Sequence, residues 1–507
     1  MYPATWVDSD RPAVIMGDTG ETVSYRRLDE SSNRLVHALR ERGLGRGDVV
    51  AVLLENGPRF HEVVWAARRS GMYFTPINHH LTGPEIAYVL ENSGARAIVA
   101  SAGLAGRLAS IAQALPEVRL ALGGDVPGWE AYEQATADQP ATPVPDEEEG
   151  DLLQYSSGTT GRPKGIKRPL SGRPISLEGD PTVMFLRAIG FTEGGVYLSP
   201  APLYHTAPAL WSMAVHRMGG TVVVMERFDA EQALALIDRY RVTHGQFVPS
   251  MFVRMCKLPE EVRRRYDLSS LRTVVHAAAP CPVEVKQRMI DWWGPVVSEF
   301  YGATEGHGAT FITAPEWLEH RGSVGRPLLG TPHIVDDDGN ELPVGEAGRV
   351  LFESGVPFEY LDDPDATAHA RDRRGWVGVG DVGYLDADGY LYLTDRVTNM
   401  IISGGVNIYP QETEDLLISH PRVLDAAVIG LPDEDLGEVV VAVVQPVNWA
   451  DAGPGLAHEL IDHCAARQAR YKVPRRVLFE QELPRLDNGK LYKRLLRQRL
   501  ATEAPSR

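Results

Sequence analysis

The sequence lacks the features of a membrane-spanning, secreted or disulfide-bonded chain. Its strongest apolar run, Val439–Val444, has the length of a strand and is too short to cross a bilayer as a helix. The N-terminal segment Met1–Pro12 has no apolar core of the kind that a signal peptide needs. The three cysteines, Cys256, Cys281 and Cys464, are widely separated, which makes a disulfide framework implausible. We therefore expect a soluble protein of the reducing cytoplasm.

Positive charge is also in short supply. The 51 Lys and Arg residues are outnumbered by 68 Asp and Glu residues, so the formal net charge is −17. Such a balance disfavours nucleic acid or an anionic membrane surface as the main partner. A site for a small polyanion would have to be basic locally, against the field of the whole chain.

The chain is too long for a single hydrophobic core. Its 507 residues, 43% of them hydrophobic and 23% charged, are typical of a globular protein with two or more domains. Alternating helical and strand-like periods in the first part predict α/β sheets covered by helices. The predicted helices there are Ser24–Arg42, Phe60–Ser70, Ala230–Tyr240 and Glu260–Arg265. The predicted strands are Asp48–Leu54, Ala97–Ala100, Thr221–Met225 and Thr273–His276.

The residue pattern of the sequence changes from about residue 322. Short strand-like runs and Gly/Asp turns there predict a small β-rich subdomain, and a compact α+β unit follows Asp395. In that last unit the predicted helices are Gln411–Ser419 and Leu456–Arg470, and the predicted strands are Ala426–Gly430 and Val439–Gln445.

The most informative stretch is 155–165, which reads Tyr-Ser-Ser-Gly-Thr-Thr-Gly-Arg-Pro-Lys-Gly. Its glycines allow backbone N–H groups to turn inward, its hydroxyls add donors, and Arg162 and Lys164 add positive charge. A loop of this composition predicts a triphosphate site, although the Gly-x4-Gly-Lys-Ser/Thr spacing of the common P-loop is absent. The alternative interpretation is a flexible Gly/Ser linker.

A second glycine pattern, Gly378-Val-Gly380-Asp-Val-Gly383, matches the dinucleotide fingerprint Gly-x-Gly-x-x-Gly. That fingerprint requires a preceding strand and a following helix. The residues that follow read Tyr-Leu-Asp-Ala-Asp-Gly-Tyr-Leu-Tyr-Leu, which is a hairpin pattern. We therefore exclude dinucleotide binding at this stretch.

Several further motifs accompany the 155–165 stretch in a characteristic order. They are Pro202-Leu-Tyr-His205-Thr, His276-Ala-Ala-Ala-Pro280, Glu299-Phe-Tyr-Gly-Ala-Thr-Glu305, Trp376 with Gly380-Asp381, Thr394-Asp-Arg396, Ser403-Gly-Gly-Val-Asn407 and Pro484-Arg-Leu-Asp-Asn-Gly-Lys490. As a set they resemble the motifs of the adenylate-forming superfamily, which includes acyl-CoA synthetases, firefly luciferases and the adenylation domains of peptide synthetases. The resemblance extends from about Ser24 to Arg497.

The resemblance implies a multidomain α/β and α+β fold. It predicts a large N-terminal adenylating domain, 1–394, built of two α/β subdomains and a small β-barrel-like subdomain. It also predicts a small mobile α+β C-terminal domain, 395–507, which turns about a hinge at Asp395 and carries the catalytic Lys490.

The resemblance further implies a role for each motif residue. The predicted catalytic residues are Lys490, Thr304, Glu305 and His205, with Glu305 also holding Mg²⁺. The predicted ATP-binding residues are Ser156, Ser157, Gly158, Thr159, Thr160, Gly161, Lys164, Ala278, Ala279, Pro280, Glu299, Phe300, Tyr301, Gly302, Asp381 and Arg396. The loop expected to face coenzyme A contains Ser403, Gly404 and Gly405.

Some of these residues also have plainer interpretations. His205 alone would be a satisfied core histidine, Asp381 a turn residue, and Lys490 one more cation in a basic tail. The chain also departs from the family pattern. Val379 stands where Thr is usual, and Thr398 and Asn399 replace a Lys and an Asp near the hinge.

The acyl pocket is predicted from the same motifs. Its candidate residues are Trp211, Val248, Ala277, Ala303, Gly306, His307 and Gly308. Many are small and no Asp is placed to pair an amino group, which favours an apolar acid, either a fatty acid or a bulky alicyclic, steroid- or terpenoid-like one. The Pro/Gly-rich segment Lys167–Gly190 is a candidate gate to this pocket.

The sequence therefore predicts an AMP-forming acyl-CoA synthetase that uses ATP, Mg²⁺ and coenzyme A as well as its acid. The alternatives are an enzyme that loads a carrier protein, an aryl-acid CoA ligase, or a non-catalytic ATP-binding scaffold. Nothing in the sequence demands the oxygen chemistry of a luciferase. No nucleic-acid partner or membrane span is expected, and homodimerisation is left open.

Overall fold

The computed structural model describes residues 9–155, 163–175, 179–396, 399–404, 406–433, 435–485 and 490–503. The chain divides into two compact units. The first contains Met1–Gln246, Glu260–Val274 and Pro357–Ala368, and the second contains Phe247–Pro259, Val275–Val356 and His369–Arg507. The predicted boundary at residue 395 stays a prediction. Within the described ranges, no helix combines the length and apolar character needed to cross a bilayer.

The first unit contains parallel sheets whose strands are buried on both faces. A six-stranded parallel sheet has the order Glu130–Ala131, Val118–Leu122, Ala95–Ser101, Val49–Leu53, Tyr73–Pro76, Asp151–Leu152. A second set of neighbouring strands has the order His244–Phe247, Val196–Ser199, Thr221–Val224, Pro12–Met16, Thr22–Ser24, and only the last is antiparallel. Three short antiparallel strands follow the order Glu359–Tyr360, Gly165–Lys167, Gln154–Tyr155. The continuous apolar run of Val49–Leu53 is buried throughout, as a central parallel strand requires.

Helices cover these sheets. The α-helices of the first unit are Tyr25–Glu41, Pro58–Arg68, Gly83–Ser93, Ala102–Ala105, Tyr132–Ala137, Pro181–Ala188, Thr206–Arg217, Ala230–Tyr240, Glu260–Arg263 and Pro364–His369, with a 3₁₀ segment at Gly106–Ala114. The side chain of Ser24 caps the first of them by accepting a hydrogen bond from the backbone of Arg27. That helix buries the predicted apolar face formed by Leu28, Leu35 and Leu39.

The second unit is richer in antiparallel strands. One antiparallel set is Val297–Gly302, Ala309–Ile312 and Arg326–Leu329. A four-stranded antiparallel sheet has the order Thr331–Val335, Gly348–Glu353, Asp381–Leu385, Leu391–Arg396. The last sheet has the order Val406–Ile408, Ile401–Ser403, Gly437–Pro446, Val423–Asp433, and Arg476–Phe479 pairs in parallel with Gly437–Pro446. Within the strand Thr273–His276 the chain passes from the first unit to the second, as it also does after Gln246 and after Ala368.

Helices pack on these sheets as well. The α-helices of the second unit are Pro249–Cys256, Val283–Trp293, Ala314–Glu319, Gln411–Ser419, Pro454–Ala465 and Lys493–Glu503, with 3₁₀ segments at Trp449–Asp451 and Arg470–Lys472. Leu496, on the last of these helices, is completely buried in an apolar cluster with Ile429 and Val441. This cluster ties the C-terminal helix to the sheet beneath it.

Most predicted elements are confirmed. The helices Ala230–Tyr240 and Gln411–Ser419 and the strand Thr273–His276 have the predicted bounds. The stretch after Gly380 is a strand, Asp381–Leu385, that pairs with Leu391–Arg396, so the hairpin interpretation is confirmed.

The other predicted elements differ from the structure in their bounds, and two of them differ most. The strand predicted at Ala426–Gly430 runs from Val423 to Asp433, because its partner Gly437–Pro446 extends the pairing along the whole length. The helix predicted to end at Arg470 ends at Ala465, and the residues that follow Ala469 form a separate 3₁₀ turn.

A buried cluster of four charges joins distant segments of the first unit. The Glu149 carboxylate accepts from Arg68 Nε at 2.6 Å and from Arg217 Nη2 at 2.5 Å. Asp180 lies 3.2 Å from Arg68 and 3.5 Å from Arg217, and it also caps the helix Pro181–Ala188. Burial alone would raise the pKa of Asp180, but the two guanidinium groups outweigh burial and lower it. Since Glu149 and Asp180 lie on either side of the 155–165 stretch, the cluster anchors the segments that flank it.

We predict that Arg217→Met destabilises the protein by about 3–5 kcal/mol, because it leaves the half-buried Glu149 and the buried Asp180 with one cation. Urea denaturation measures the loss. Arg187→Met is the matched control, since Arg187 pairs with Glu193 in an exposed position and its loss should cost less than about 1 kcal/mol. Equal losses in the two variants would contradict the prediction.

Candidate active site

The site in the second unit is built around one carboxylate. The strand register places Asp381 directly opposite Arg396, and Arg396 Nε lies 3.0 Å from Asp381 Oδ1. The hydroxyl of Tyr301, from the strand Val297–Gly302, donates to Asp381 Oδ2 at 2.6 Å. Two oxygens of one buried side chain therefore hold two predicted nucleotide-binding residues in place.

The electrostatics of Tyr301 keep it a donor. Burial raises the pKa of its hydroxyl well above the ordinary value, and the neighbouring Asp381 raises it further. The phenol therefore stays protonated at neutral pH. Its ring also packs beside Phe352, with ring centroids 6.2 Å apart, so its orientation is set from two directions.

Lys490 shares this neighbourhood. Burial lowers the pKa of its ammonium group from 10.5 to about 8, and Arg396 lowers it as well. Asp381 and Glu305 act in the opposite direction and favour the charged form. The structure thus brings Lys490, near the C-terminus of the chain, into the field of the carboxylates that the motifs single out.

The loop 303–308 carries the predicted catalytic pair Thr304 and Glu305. Glu305 is buried, and the following His307 is buried with its ring against Phe352 at a centroid distance of 5.8 Å. Burial lowers the pKa of His307 although Glu305 and Asp381 oppose that effect, which favours the neutral imidazole.

Gly308 owes its small size to packing. A Cβ added there would lie 2.2 Å from the Phe352 ring, so the space beside Gly308 is already filled. The absence of a side chain at Gly308 therefore leaves no extra space, and this position does not support the prediction of a roomy cavity. Gly306, by contrast, turns the loop at φ +71°.

The segment after the strand Thr273–His276 has a strained backbone. Ala278 adopts φ +77°, a left-handed conformation that costs a non-glycine residue about 1 kcal/mol or more. Ala277 is buried whereas Ala278 and Pro280 are exposed, and Ala279 is half-buried. Such strain often marks a binding site, and sequence reasoning missed it because alanine carries no signal for this conformation.

Glu299 has a structural partner that sequence reasoning also missed. Its carboxylate accepts from Lys286 Nζ at 2.6 Å in a fully buried pair, and Lys286 also lies 4.9 Å from the Trp317 ring centroid. The pair ties the helix Val283–Trp293 to the strand that carries Phe300, Tyr301 and Gly302. The structure thus gives the Glu299 side chain an internal role in supporting that strand, and Ala303 begins the loop beyond it.

The predicted hinge residue is held from several sides. Asp395 Oδ1 accepts from the Arg396 backbone at 2.6 Å and from Asn399 Nδ2 at 3.0 Å. Its other oxygen accepts from the backbone of Gln411 at the start of the helix Gln411–Ser419. Asn399, a departure from the family pattern, therefore acts as a hydrogen-bond donor to this carboxylate.

The predicted site residues of the second unit that have not yet been described are associated with short turns and with element ends. Val248 is buried at the start of the helix Pro249–Cys256. Ser403 ends a short strand and Gly404 follows it at φ +58°. Gly405 lies outside the described residues.

Three of the predicted site residues that the structure describes belong to the first unit. His205 is the residue that precedes the helix Thr206–Arg217, with its ring 4.5 Å from that of Tyr204. Trp211 is buried against Phe191, at a centroid distance of 5.6 Å. Lys164 Nζ lies 4.8 Å from the centre of the Tyr360 ring.

Part of the predicted phosphate loop cannot be placed. The residues Ser156, Ser157, Gly158, Thr159, Thr160 and Gly161 lie outside the described residues, as do residues 176–178 of the segment Lys167–Gly190. Within the described ranges, no group of three or more His, Cys, Asp or Glu residues is placed to hold a metal ion. A Mg²⁺ ion on Glu305 would therefore depend on oxygens from a bound phosphate, as is common for this cation.

Comparison with known proteins decides the family. The AMP-binding enzyme model matches residues 5–356, and the model of the AMP-binding enzyme C-terminal domain matches residues 412–490. The chain belongs to the AMP-binding enzyme family. The adenylate-forming superfamily inferred from the motifs is thereby confirmed.

Curated relatives of this AMP-binding enzyme include three with different substrates. Fatty acid–[acyl-carrier-protein] ligase ScoC of Streptomyces coeruleorubidus is 32% identical, covering 96% of this chain and 93% of the relative. Long-chain-fatty-acid–CoA ligase FadD13 of Mycobacterium tuberculosis is 32% identical, covering 97% and 96%. Feruloyl-CoA synthase of an Amycolatopsis species is 35% identical, covering 95% and 94%. All three are acid–thiol ligases, and this AMP-binding enzyme is of that class.

Solved structures confirm the architecture. The anthranilate CoA ligase AuaEII in complex with anthranoyl-AMP is 25% identical, with a TM-score of 0.84 over 98% of this chain and 96% of that chain. The amide bond synthetase McbA from Marinactinospora thermotolerans is 29% identical, with a TM-score of 0.81 over 96% of each chain. The mixed α/β and α+β multidomain fold expected for this AMP-binding enzyme is therefore confirmed.

We predict that Lys490 titrates near pH 8 and that its two neighbours shift it in opposite directions. Asp381→Asn removes a carboxylate that favours the ammonium form, so the pKa of Lys490 should fall. Arg396→Met removes a competing cation, so that pKa should rise. The measurement is ¹³C NMR of reductively methylated lysines. Asp388→Asn, at the exposed turn of the same hairpin, is the control and should leave the titration unchanged. Shifts of the same sign in the first two variants would refute the arrangement.

Proposed function

We propose that this enzyme is an acyl-CoA synthetase that activates an apolar carboxylic acid with ATP and passes the acyl group to coenzyme A. The observation that carries the proposal is that Arg396 donates to Asp381, and that Arg396, Asp381 and Glu305 all act electrostatically on the buried Lys490. These are the residues that the family motifs assign to the nucleotide and to catalysis.

The chemistry of the first half-reaction explains why such a cluster is useful. A carboxylate attacks the α-phosphorus of ATP, forming an acyl-adenylate and releasing pyrophosphate, so two anions must approach each other. The ammonium of Lys490 would stabilise the charge that builds between them, and one preorganised donor of this kind commonly contributes about 3–4 kcal/mol. Mg²⁺ on Glu305 would supply further charge neutralisation at the phosphates.

The nucleotide would be positioned by Tyr301, the buried Asp381 and Arg396. Asp381 has oxygens suited to accept from ribose hydroxyls, and Tyr301 offers a ring for the adenine to stack on. The exposed Ala278 and Pro280, with their small side chains, leave the backbone of that segment accessible. Ser156–Gly161 and Lys164 are proposed to bind the β- and γ-phosphates.

The second half-reaction requires Lys490 to leave. We assign the pivot to Asp395 and the mobile domain to residues 395–507, so that rotation withdraws Lys490 and brings Ser403, Gly404 and Gly405 to the thiol. The coenzyme A thiol then attacks the acyl carbonyl, and AMP leaves with the electron pair of the broken C–O bond. One site would thus serve two reactions in succession.

The acid class is proposed from the side chains around the loop 303–308. Val248, Ala277, Ala303, Gly306 and His307 offer no carboxylate for an amino group, and the neutral form favoured for His307 suits an apolar substrate. The family motifs also assign Trp211 to the acyl pocket and His205 to the carboxylate of the acid, and we propose those roles for them. Relatives that act on a long-chain fatty acid and on ferulate make an aryl acid the second candidate.

A panel of acids separates these classes. We expect pyrophosphate release with ATP to be faster with medium-chain, long-chain or bulky alicyclic acids than with ferulate, coumarate or anthranilate. Faster release with the aryl acids would replace the apolar class. No acid-dependent release with any member would overturn the proposed function.

Comparing coenzyme A with a phosphopantetheinyl carrier protein as acceptor tests which thiol receives the acyl group, since ScoC is named for a carrier protein.

We predict that Lys490→Ala slows acyl-adenylate formation about a hundredfold or more, because the charge between the two anions is no longer stabilised. Thioester formation from a supplied acyl-adenylate should be nearly unchanged. Both half-reactions are measured separately, by pyrophosphate release and by thioester yield. Arg494→Ala, which removes an exposed cation from the same C-terminal segment, should leave both rates intact. Equal loss of both half-reactions in the Lys490 variant would contradict its assigned role.

The pH profile provides a second check. Since the charged form of Lys490 is the active one and its pKa is about 8, kcat/KM for ATP should fall as the pH rises through that value. Lys490→Arg should be slower but should not show this fall, because a guanidinium stays charged. A profile that is identical in the two enzymes would assign the fall to another group.

A further inference from the structure

A cavity with two cationic side chains in its lining lies in the second unit, apart from the site around Asp381. Its volume is about 250 Å³, and its lining includes Lys257, Arg288, Ile418, His420 and Val447. Lys257 follows the helix Pro249–Cys256. No family motif of the sequence includes any of these residues. The proposed reaction gives none of them a role in binding or catalysis, although Ile418, His420 and Val447 belong to the proposed mobile domain 395–507.

Lys257 is placed unusually for a lysine. Its Nζ is inaccessible to solvent and has no hydrogen-bond partner among the described residues. Burial of an ammonium group without an acceptor is unfavourable, since all three of its donors are then unsatisfied. A buried polar group of this kind calls for an explanation, and an anion in the adjoining cavity would supply the missing acceptor once the flexible Lys257 side chain turns its Nζ toward it.

The lining of the cavity carries more positive than negative charge. Arg288 is exposed and makes no ion pair with any residue in the described ranges, so it adds a second cation to the lining. The nearby carboxylate of Asp425 is already engaged by both Nε and Nη2 of Arg485. Its oxygens are therefore not fully available to accept hydrogen bonds from the ammonium group of Lys257.

The polar side chains of Ser419 and His420 in the lining already have partners. His420 Nε2 lies 3.2 Å from Glu459, and the same carboxylate accepts from Arg422 at 2.6 Å. The hydroxyl of Ser419 donates to the Leu416 carbonyl at 2.7 Å. Of the polar groups in the described lining, Lys257 and Arg288 are thus the ones left to bind a ligand.

Lys257 keeps its charge at neutral pH in spite of its burial. Burial and Arg288 lower its pKa to about 8, while Asp425 and Cys256 raise it. An ammonium with this pKa is largely protonated at pH 7, and an anionic ligand would favour the charged form further.

We infer that this cavity is a binding site for a phosphate group, held by Lys257 from inside and by Arg288 at the rim. Two cations match the charge of a phosphate dianion. The volume is below the roughly 300–1,000 Å³ of pockets that enclose drug-sized ligands, so it suits a phosphate ion or the phosphate end of a larger molecule. The site goes beyond the proposed function, because binding here requires neither ATP nor an acid.

The test is a titration of the full-length protein with inorganic phosphate at constant ionic strength. Thermal unfolding and the NMR signal of the Ile418 methyl group are followed together. We expect a saturable rise in the unfolding midpoint, as for any ligand of the native state, and a saturable shift of the Ile418 signal. Adenosine 3′,5′-bisphosphate in a parallel titration distinguishes a phosphate carried by a nucleotide from the free ion.

Three variants locate the effect. Lys257→Met should weaken phosphate binding about tenfold or more, as loss of a charge-assisted contact requires, and Arg288→Gln should weaken it less. Arg254→Gln, an exposed arginine on the adjacent helix that does not line the cavity, should bind like the wild type. If phosphate moves neither the Ile418 signal nor the midpoint, or acts equally on all variants, the inference is wrong.

The outcome is independent of the proposed reaction. The Arg288 variant is expected to fold because the residue is exposed, so the test does not depend on the Lys257 variant being stable. Loss of acid-dependent pyrophosphate release would overturn the proposed function but would leave phosphate binding unaffected.

Discussion

The carboxylate of Asp381 is the interaction on which the candidate site depends. One of its oxygens receives the hydroxyl of Tyr301 and the other receives the guanidinium of Arg396. It also favours the charged form of Lys490. Three segments that are far apart in sequence therefore take their positions from one buried side chain, and a change in its charge would be felt by all of them.

Charged side chains are buried at several places in this chain. In the first unit Glu149 and Asp180 are matched by Arg68 and Arg217, and in the second Glu299 is matched by Lys286. These pairs neutralise each other and support the segments around the motifs. Lys490 and Lys257 are different, because burial is the largest influence on the pKa of each and lowers it to about 8. A lysine of that kind is suited to meet an anion that arrives from outside.

The fold was largely predictable from local patterns. The period of the apolar residues identified Ala230–Tyr240 and Gln411–Ser419 with correct bounds, since helix formation there depends on residues close in sequence. The strand Val423–Asp433 was underestimated because its length is decided by pairing with Gly437–Pro446. Strand ends of this kind are set by a partner and leave little trace in the strand's own residues.

The candidate site was predictable only in part. Motif residues such as Tyr301, Asp381 and Lys490 could be named from their order along the chain, and the family they indicate is confirmed. Their individual roles remain predictions. The strained Ala278, the support of Glu299 by Lys286 and the filling of the space at Gly308 by Phe352 could not be found in the same way. Each involves a backbone conformation or a partner that the local sequence does not specify.

The sequence by itself determined the class of chemistry, since residue types and their order are enough to indicate a nucleotide, a cation and an activated acid. Tertiary structure alone decided which charges meet. The pKa of Lys490 depends on burial and on Arg396, Asp381 and Glu305, which act through space. Electrostatic effects depend on distance and on exclusion of water, and neither quantity exists until the chain has folded.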